Sequence, residues 1–335
     1  MVTRSSTACQ SDGWKRELAR AHRDARTLLR TLGLSARDIP DLDPEAQEFG
    51  LLVPQAFVDL MRPGDPQDPL LRQVLPLRAE HQQAQGFSLD PVCDSDAELS
   101  PGLLQKYPGR ALLVVNGACA AHCRYCFRRH FSYRALGPAE PRLARAIDRL
   151  SLAPSVQEIV LSGGDPLMLD DAQLAELIDR LAAIPHLRRL RIHTRLPIML
   201  PSRVTEALVR MLTEGRLPAI LVIHANHPSE LGGPAEQALR KLAAHGVRLL
   251  NQSVLLRGVN DSVATLQQLS ERLFECEALP YYLHQLDRVQ GAAHFQVSDK
   301  IATILVDQLR ARVSGYLAPE LVREIPGEQS KARIA

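Results

Sequence analysis

The chain has little net charge, few lysines and no long apolar run, and each shortage excludes a class of protein. A formal net charge of +2 over 335 residues gives no strong attraction to nucleic acid or to an anionic membrane surface. No apolar run approaches the length of a membrane-spanning helix, and the opening Met-Val-Thr-Arg-Ser-Ser lacks the apolar segment of a secretory signal. We therefore expect a cytoplasmic protein that binds neither nucleic acid nor membrane.

The sequence also lacks a disulfide framework. Three of its six cysteines lie too close together along the chain to form one, which fits a reducing compartment. Cys9 and Cys93 stand alone in polar segments, and we expect them to be incidental. The 40 basic residues are almost all arginine, so each lysine can be considered individually. The five lysines are Lys15, Lys106, Lys241, Lys300 and Lys331.

The most specific feature that is present is the spacing C-x3-C-x2-C, formed by Cys119, Cys123 and Cys126. It follows an apolar run, Ala111–Val115, that reads as a buried strand. Thiolates bind soft metals and iron–sulfur clusters, and three thiolates leave one iron of a four-iron cluster open to a small ligand. Two other interpretations stay open: three unrelated thiols, or a zinc site with His122 as an awkward fourth ligand.

Apolar runs alternate with amphipathic stretches after residue 110, which predicts parallel strands covered by helices. The predicted strands are 111–115, 158–161, 190–193, 219–224, 247–256 and 281–286. The predicted helices lie near 138–151, 170–183, 203–214, 234–245, 262–277 and 297–314. Six such units indicate an α/β fold, a curved (β/α)6 partial barrel, with its chemistry at the carboxyl ends of the strands.

The remaining segments divide the chain into three parts. The spacing of apolar residues predicts one amphipathic helix over residues 14–34, within an N-terminal helical extension (1–105) that packs on the core. The core spans 106–295. A C-terminal helix and tail span 296–335, and from composition alone the tail reads as frayed and solvated.

Polar residues recur where the predicted strands end. Ser162, Gly163, Gly164 and Asp165 follow the second strand, and paired glycines there can let the backbone approach a ligand. Three later predicted strands also carry polar residues: the fourth ends at His224, the fifth contains Gln252, and the sixth is followed by Asp287. An ordinary turn, a hydrogen-bonded structural histidine and a helix-capping aspartate are the plainer alternatives.

The cysteine spacing at the end of a first strand resembles the radical S-adenosylmethionine (SAM) superfamily. Within it, Cys-Arg-Tyr-Cys-Phe-Arg-Arg resembles the lysine 2,3-aminomutases, in particular the short members that supply β-lysine for modifying elongation factor P. The resemblance runs from about residue 14 to 331. It implies a TIM-like radical SAM barrel and a [4Fe–4S] cluster on the three cysteines. It also implies SAM contacts at Ser162, Gly163, Gly164, Asp165, His224 and Gln252.

The same resemblance implies a pyridoxal 5′-phosphate (PLP) site. Lys331 matches the lysine that forms the Schiff base with PLP, and Tyr107 and Arg110 match positions near the PLP phosphate. For the substrate, the resemblance implies that Arg128 holds the carboxylate and that Asp287 and Glu324 bind ammonium. These residues are predicted to be catalytic together with Lys331.

Three departures from the larger members of the family accompany this match. The chain stops four residues after Lys331, without their cysteine-containing extension, so we expect no zinc. Ala332 and Arg333 stand where the family often has Thr-Pro. Glu324 stands where the larger enzymes have aspartate, and its extra methylene changes the depth of the pocket.

The resemblance implies an isomerase that converts L-lysine to β-lysine by a 5′-deoxyadenosyl radical and a PLP-bound substrate. It also implies a reductant such as flavodoxin or ferredoxin and a functional link to elongation factor P and its lysyl ligase, with a possible homo-oligomer. Two alternatives remain: a radical SAM enzyme without PLP, and a non-enzymatic scaffold with a structural metal.

Overall fold

A computed structural model describes residues 13–46 and 49–334, so Cys9 lies outside the described residues. Its centre is one sheet in which ten strands follow each other in chain order. The strands are β1 Glu98–Ser100, β2 Leu103–Tyr107, β3 Arg110–Asn116, β4 Glu158–Gly163, β5 Arg189–Thr194, β6 Ala219–Ile223, β7 Arg248–Val254, β8 Ala278–His284, β9 Glu320–Arg323 and β10 Ala332–Arg333.

Strands β3 to β9 are parallel, each paired with the next. All six predicted apolar runs overlap one of these strands, and the predicted α/β partial barrel is confirmed. Strand β4 is buried along nearly its whole length, as expected of a parallel strand covered on both faces. The sheet stays open, because β1 and β10 each pair with a single neighbour.

Helices connect the parallel strands and cover the sheet. Each of the long helices buries an apolar stripe, and several begin at a side-chain cap, such as Asp170 and Ser262. No helix among the described residues is long and apolar enough to span a membrane. The α-helices are α1 Gly13–Ala19, α2 Ala25–Thr31, α3 Gln55–Val58, α4 Pro69–Arg72, α5 Ala139–Ser151, α6 Asp171–Ala182, α7 Leu196–Met199, α8 Glu206–Thr213, α9 Gly233–Ala244, α10 Val263–Glu275 and α11 Asp299–Arg310.

The prediction of a single helix over residues 14–34 is wrong, because the segment forms two helices, α1 and α2. His22 interrupts it by exchanging backbone hydrogen bonds with Val53, at 2.8 and 3.1 Å. Asp24 then caps the second helix by accepting a bond from the Thr27 amide. The apolar face is nevertheless buried in the main core, through Trp14 and Leu28. Strand β2 crosses the predicted boundary at 105/106, and the division into three parts stays a prediction.

The C-terminal tail is ordered by strand pairing, contrary to the frayed and flexible segment expected from composition. Strand β10 runs antiparallel to β9, with Ala332 opposite Arg323. Strand β9 in turn pairs with β8 at the edge of the barrel. This hairpin fixes Lys331 and Glu324 at the two ends of one short connection beside the barrel interior.

The loop after β3, which carries the cysteines, is bound to the loop after β4. The amides of Gly164 and Asp165 donate to the carbonyls of Asn116 and Ala118, both at 2.8 Å. A Cβ on Gly164 would lie 2.3 Å from the Ala118 carbonyl oxygen. Glycine is therefore required here by contact between two loops of the chain itself, a packing reason that differs from the ligand approach inferred from sequence.

We expect Gly164→Ala to lower the free energy of unfolding by about 1–3 kcal/mol, the cost of overpacking a closed site. Gly215→Ala is the control, because its new Cβ would meet only the Met211 carbonyl oxygen at 3.8 Å. Urea unfolding of both variants measures the difference. Equal stability of the two variants would contradict a role for Gly164 in joining the loops.

Candidate active site

One cavity of about 300 Å³ lies within the barrel, and every site residue predicted from the sequence lines it. The structure therefore brings together residues that are up to 224 positions apart in the chain, from Tyr107 to Lys331. The lining includes Tyr107, Arg110, Cys119, Cys123, Cys126, Arg128, Ser162, Gly163, Gly164, Asp165, His224, Gln252, Asp287, Glu324 and Lys331. Their individual roles stay predictions.

The three cysteines are half-buried around this cavity, without a closed set of ligands. Burial raises the pKa of the Cys126 thiol to about 11, and burial also raises that of Cys119 well above its usual value. Metal binding would have to displace these protons. Within residues 13–46 and 49–334, no three His, Cys, Asp or Glu side chains are grouped as a single-ion site. Three thiols lining an open space suit a multi-iron cluster, whose ligand sulfurs are held by different irons.

His122 does not complete a zinc site. Its Nδ1 lies 2.8 Å from the Gly50 carbonyl oxygen, and its ring stacks on Phe49 with centroids 4.7 Å apart. The ring is absent from the cavity lining. The interpretation with His122 as a fourth zinc ligand is therefore not supported by its position.

Asp165 joins the ends of β4 and β5. Its carboxylate accepts bonds from the Thr194 hydroxyl at 2.8 Å and from the amides of Arg195 at 2.7 Å and Leu167 at 3.0 Å. Burial raises the pKa of Asp165 to about 6 despite these bonds. Its oxygens are thus largely occupied by the protein, so the carboxylate orients the loop around Gly163 and Gly164. Direct contact with SAM stays a prediction.

His224 and Gln252 form a pair across β6 and β7, with their Nε2 atoms 2.6 Å apart. Burial, reinforced by the charge of Arg195, lowers the pKa of His224 to about 3, so its ring is neutral at physiological pH. Sequence reasoning gave no role to His193 and His284, which share this wall. Each has a buried Nε2 without a hydrogen-bond partner in the described chain. Because buried polar atoms are normally hydrogen-bonded, these two nitrogens are available to a ligand in the cavity.

Arg128 is buried and held by two partners. Its Nε donates to Asp94 at 2.8 Å and its Nη1 to the Ser162 hydroxyl at 3.0 Å. Asp94 also pairs with Lys106 at 2.7 Å. Among the described residues, Nη2 of Arg128 has no hydrogen-bond acceptor, so this edge of the guanidinium can take a ligand carboxylate. Asp94 was missed because no motif surrounds it, whereas the scarcity of lysine could have pointed to Lys106.

Lys331 points into the cavity. Its Nζ lies 2.6 Å from the Glu324 carboxylate and 6.0 Å from the centre of the Tyr282 ring. Lys106 approaches the other Glu324 oxygen at 3.7 Å. Burial raises the pKa of Glu324, but the charge and hydrogen bond of Lys331 outweigh it, so the pKa lies below its usual value. Glu324 is therefore ionised and shared between two ammonium groups.

Asp287 differs from the other carboxylates of the site, because its side-chain oxygens accept no hydrogen bond from the described part of the chain, and only its backbone carbonyl accepts one, from the Val289 amide at 2.7 Å. Burial raises its pKa to about 6, while the charge of Lys331 acts in the opposite direction. It caps no described helix, so the helix-capping alternative drawn from the sequence is not supported. An ionised carboxylate left without a partner in a cavity is suited to a cationic ligand.

Tyr107 and Arg110 face each other where β2 turns into β3. The Arg110 guanidinium lies 4.4 Å from the centre of the Tyr107 ring. The Tyr107 hydroxyl is buried near the Glu324 carboxylate, and burial together with that negative charge raises the pKa of Tyr107, so the hydroxyl keeps its proton. Both groups can donate to an anion, as the predicted phosphate contact requires.

The Radical SAM superfamily matches residues 113–269, from β3 into α10. Over 324 residues the chain is 49% identical to the "L-lysine 2,3-aminomutase" of Escherichia coli (strain K12), covering 96% of this chain and 94% of the relative. The chain belongs to the lysine 2,3-aminomutase family.

Other family members match to different extents. The Haemophilus influenzae "L-lysine 2,3-aminomutase" is 45% identical over 326 residues, 97% of this chain and 96% of that protein. The protein of the same name from Clostridium subterminale is 34% identical over 280 residues, 83% of this chain but 67% of that protein. The match thus spans nearly all of the first two relatives and about two thirds of the third.

The raised pKa of Asp287 predicts a pH-dependent stability. An ionised Asp287 destabilises the folded state above pH about 6, and the destabilisation disappears as the pH falls through 6 toward the ordinary value of 3.8. Asp287→Asn should therefore raise the free energy of unfolding by about 1–2 kcal/mol at pH 7.5 and by much less at pH 4. The control is Asp148→Asn at an exposed site. A gain that does not change with pH would contradict this assignment.

Proposed function

We propose that the protein isomerises L-lysine to β-lysine by moving the amino group from Cα to Cβ. The observation that carries this proposal is that three cysteine thiols and the Lys331 amine line the same cavity. The thiols are groups that can anchor an iron–sulfur cluster, which is the radical source. The amine is a group that can anchor an aldehyde cofactor.

Cys119, Cys123 and Cys126 would hold the [4Fe–4S] cluster, and Lys331 would hold PLP beside Tyr107 and Arg110. The lining also includes Ser162, Gly163, Gly164, His224 and Gln252, which we assign to SAM, with Asp165 behind them. When bound, these cofactors supply a carbon-centred radical that removes hydrogen and an aldehyde that carries the migrating nitrogen.

The charges of the cavity complement L-lysine, which carries one carboxylate and two ammonium groups near pH 7. We assign the substrate carboxylate to the free edge of Arg128 and the side-chain ammonium to Asp287 and Glu324. Asp94 supports this arrangement, because its ion pair with Arg128 at 2.8 Å fixes the guanidinium. The chain itself thus fixes both ends of the substrate and leaves the carbons between them to react.

The cavity also surrounds the reacting groups with a largely apolar lining. Its lining is mostly apolar or neutral, with Leu112, Val160, Val254 and Leu286 between the charged groups. Excluding water and oxygen protects a radical and strengthens every charge–charge contact inside the site.

We further propose that the product serves modification of elongation factor P in the cytoplasm, with a flavodoxin or ferredoxin as electron donor. The identity of 49% and 45% over nearly the whole of the Escherichia coli and Haemophilus influenzae proteins supports this role. A homo-oligomer and a role for the lysyl ligase that would consume β-lysine belong to the same proposal.

Reduction with borohydride tests the PLP anchor. We expect a phosphopyridoxyl adduct on Lys331, found by peptide mass spectrometry. Lys331→Ala should abolish both the adduct and β-lysine formation while leaving the iron and sulfide content of the cluster unchanged. Lys300→Ala, at an exposed position of α11, should change neither. An adduct on another residue, or none, would favour a radical SAM enzyme without PLP.

Arg128→Lys tests the carboxylate contact. A lysine cannot reproduce the planar fork, so kcat/KM for L-lysine should fall about 10- to 100-fold, mainly through a higher KM. Arg312→Lys, at an exposed site, is the control. An unchanged KM with intact cluster content would remove Arg128 from the substrate site.

A further inference from the structure

Arg195 makes a contact that the assignments above leave unexplained. It follows β5 directly, is 8% exposed, and its Nη1 lies 2.8 Å from the sulfur of Cys123. It therefore donates a charged hydrogen bond to one of the three proposed cluster ligands. Neither the SAM, the PLP nor the substrate assignment includes it.

The guanidinium is fixed in this orientation by buried partners. Its Nη2 donates to Glu230 at 2.8 Å and to the Gln73 side-chain oxygen at 2.7 Å. Glu230 is fully buried and also accepts from the Asn226 amide at 2.9 Å. The ring of Tyr125 lies beside the guanidinium, 5.7 Å from its carbon to the ring centre. These contacts leave the Arg195 side chain little freedom to turn away from the sulfur.

A second buried arginine shows what a purely structural one looks like in this chain. Arg203 is 0% exposed, and its polar contacts within the described chain are with oxygens: it donates to the carbonyls of Leu167 at 2.7 Å and Leu169 at 3.1 Å, and it forms an ion pair with the carboxylate of Asp171 at 2.8 Å. Burying a guanidinium is costly unless its donors find good acceptors. Arg195 differs because one of its N–H groups donates to a cysteine sulfur. That sulfur is a poor acceptor as a neutral thiol and a good acceptor as a metal-bound thiolate.

We propose that Arg195 is a positioning residue that orients Cys123 and raises the reduction potential of the cluster. A hydrogen bond from a cation withdraws electron density from the ligand sulfur, so the cluster accepts an electron more readily. The electron comes from the low-potential donor of the proposed function and stays on the cluster in this step. The inference rests on cluster binding by the three cysteines, and it does not depend on PLP or on the substrate.

The test uses the full chain, reconstituted anaerobically with iron and sulfide, without SAM. Arg195→Gln removes the charge, Arg195→Lys keeps it, and Arg203→Lys is the matched buried control. The midpoint potential is measured by redox titration followed by electron paramagnetic resonance, at equal iron content. We expect Arg195→Gln to shift the potential to more negative values, Arg195→Lys to shift it less, and Arg203→Lys to leave it unchanged.

A wild-type potential in Arg195→Gln with full iron content would overturn the inference while leaving the proposed function intact. Failure of the unmodified chain to assemble a cluster would instead overturn both. A second measurement does not need a stable variant: in protein labelled with 15N-arginine, the reduced cluster should show a coupling to guanidinium nitrogen by electron–nuclear double resonance. Absence of that coupling would overturn the inference even if Arg195→Gln does not hold its cluster.

Discussion

The site depends on the attachment of the cysteine loop to the loop that follows β4. Two backbone hydrogen bonds, from Gly164 to Asn116 and from Asp165 to Ala118, join the loops. The Asp165 carboxylate then extends the connection to Thr194 at the end of β5. Parallel strands bring these loops to the same edge of the sheet, and the hydrogen bonds convert proximity into fixed positions for the thiols.

The cavity holds more charge than a protein interior tolerates without pairing. A continuous series of ion pairs, with three contacts of 2.6 to 2.8 Å and one of 3.7 Å, joins Arg128, Asp94, Lys106, Glu324 and Lys331. Positive and negative groups alternate along it, so a new cation or anion can enter by replacing an existing partner. This series connects the Arg128 end, near the thiols, to the tail hairpin with Lys331.

Much of the barrel could be predicted, because long apolar runs and intervening amphipathic stretches carry strong periodic signals. The cysteine spacing and the family resemblance located the cavity residues, including Lys331 in a tail that looked unstructured. Strands as short as β10 carry no such signal, since they form only by pairing with a neighbour. The break at His22 has the same cause, a tertiary bridge to Val53. Asp94 and Arg195 act through contacts between distant segments, which spacing does not reveal.

The central claim is that Lys331 and the three cysteines serve one reaction chamber. An anaerobic crystal structure of the protein reconstituted with iron, sulfide, SAM, PLP and L-lysine tests it most directly. The account predicts a four-iron cluster on Cys119, Cys123 and Cys126, with continuous density joining PLP to either Lys331 or the substrate in the same cavity. A structure with the cluster in place but Lys331 in solvent, and PLP absent from the cavity, would contradict it.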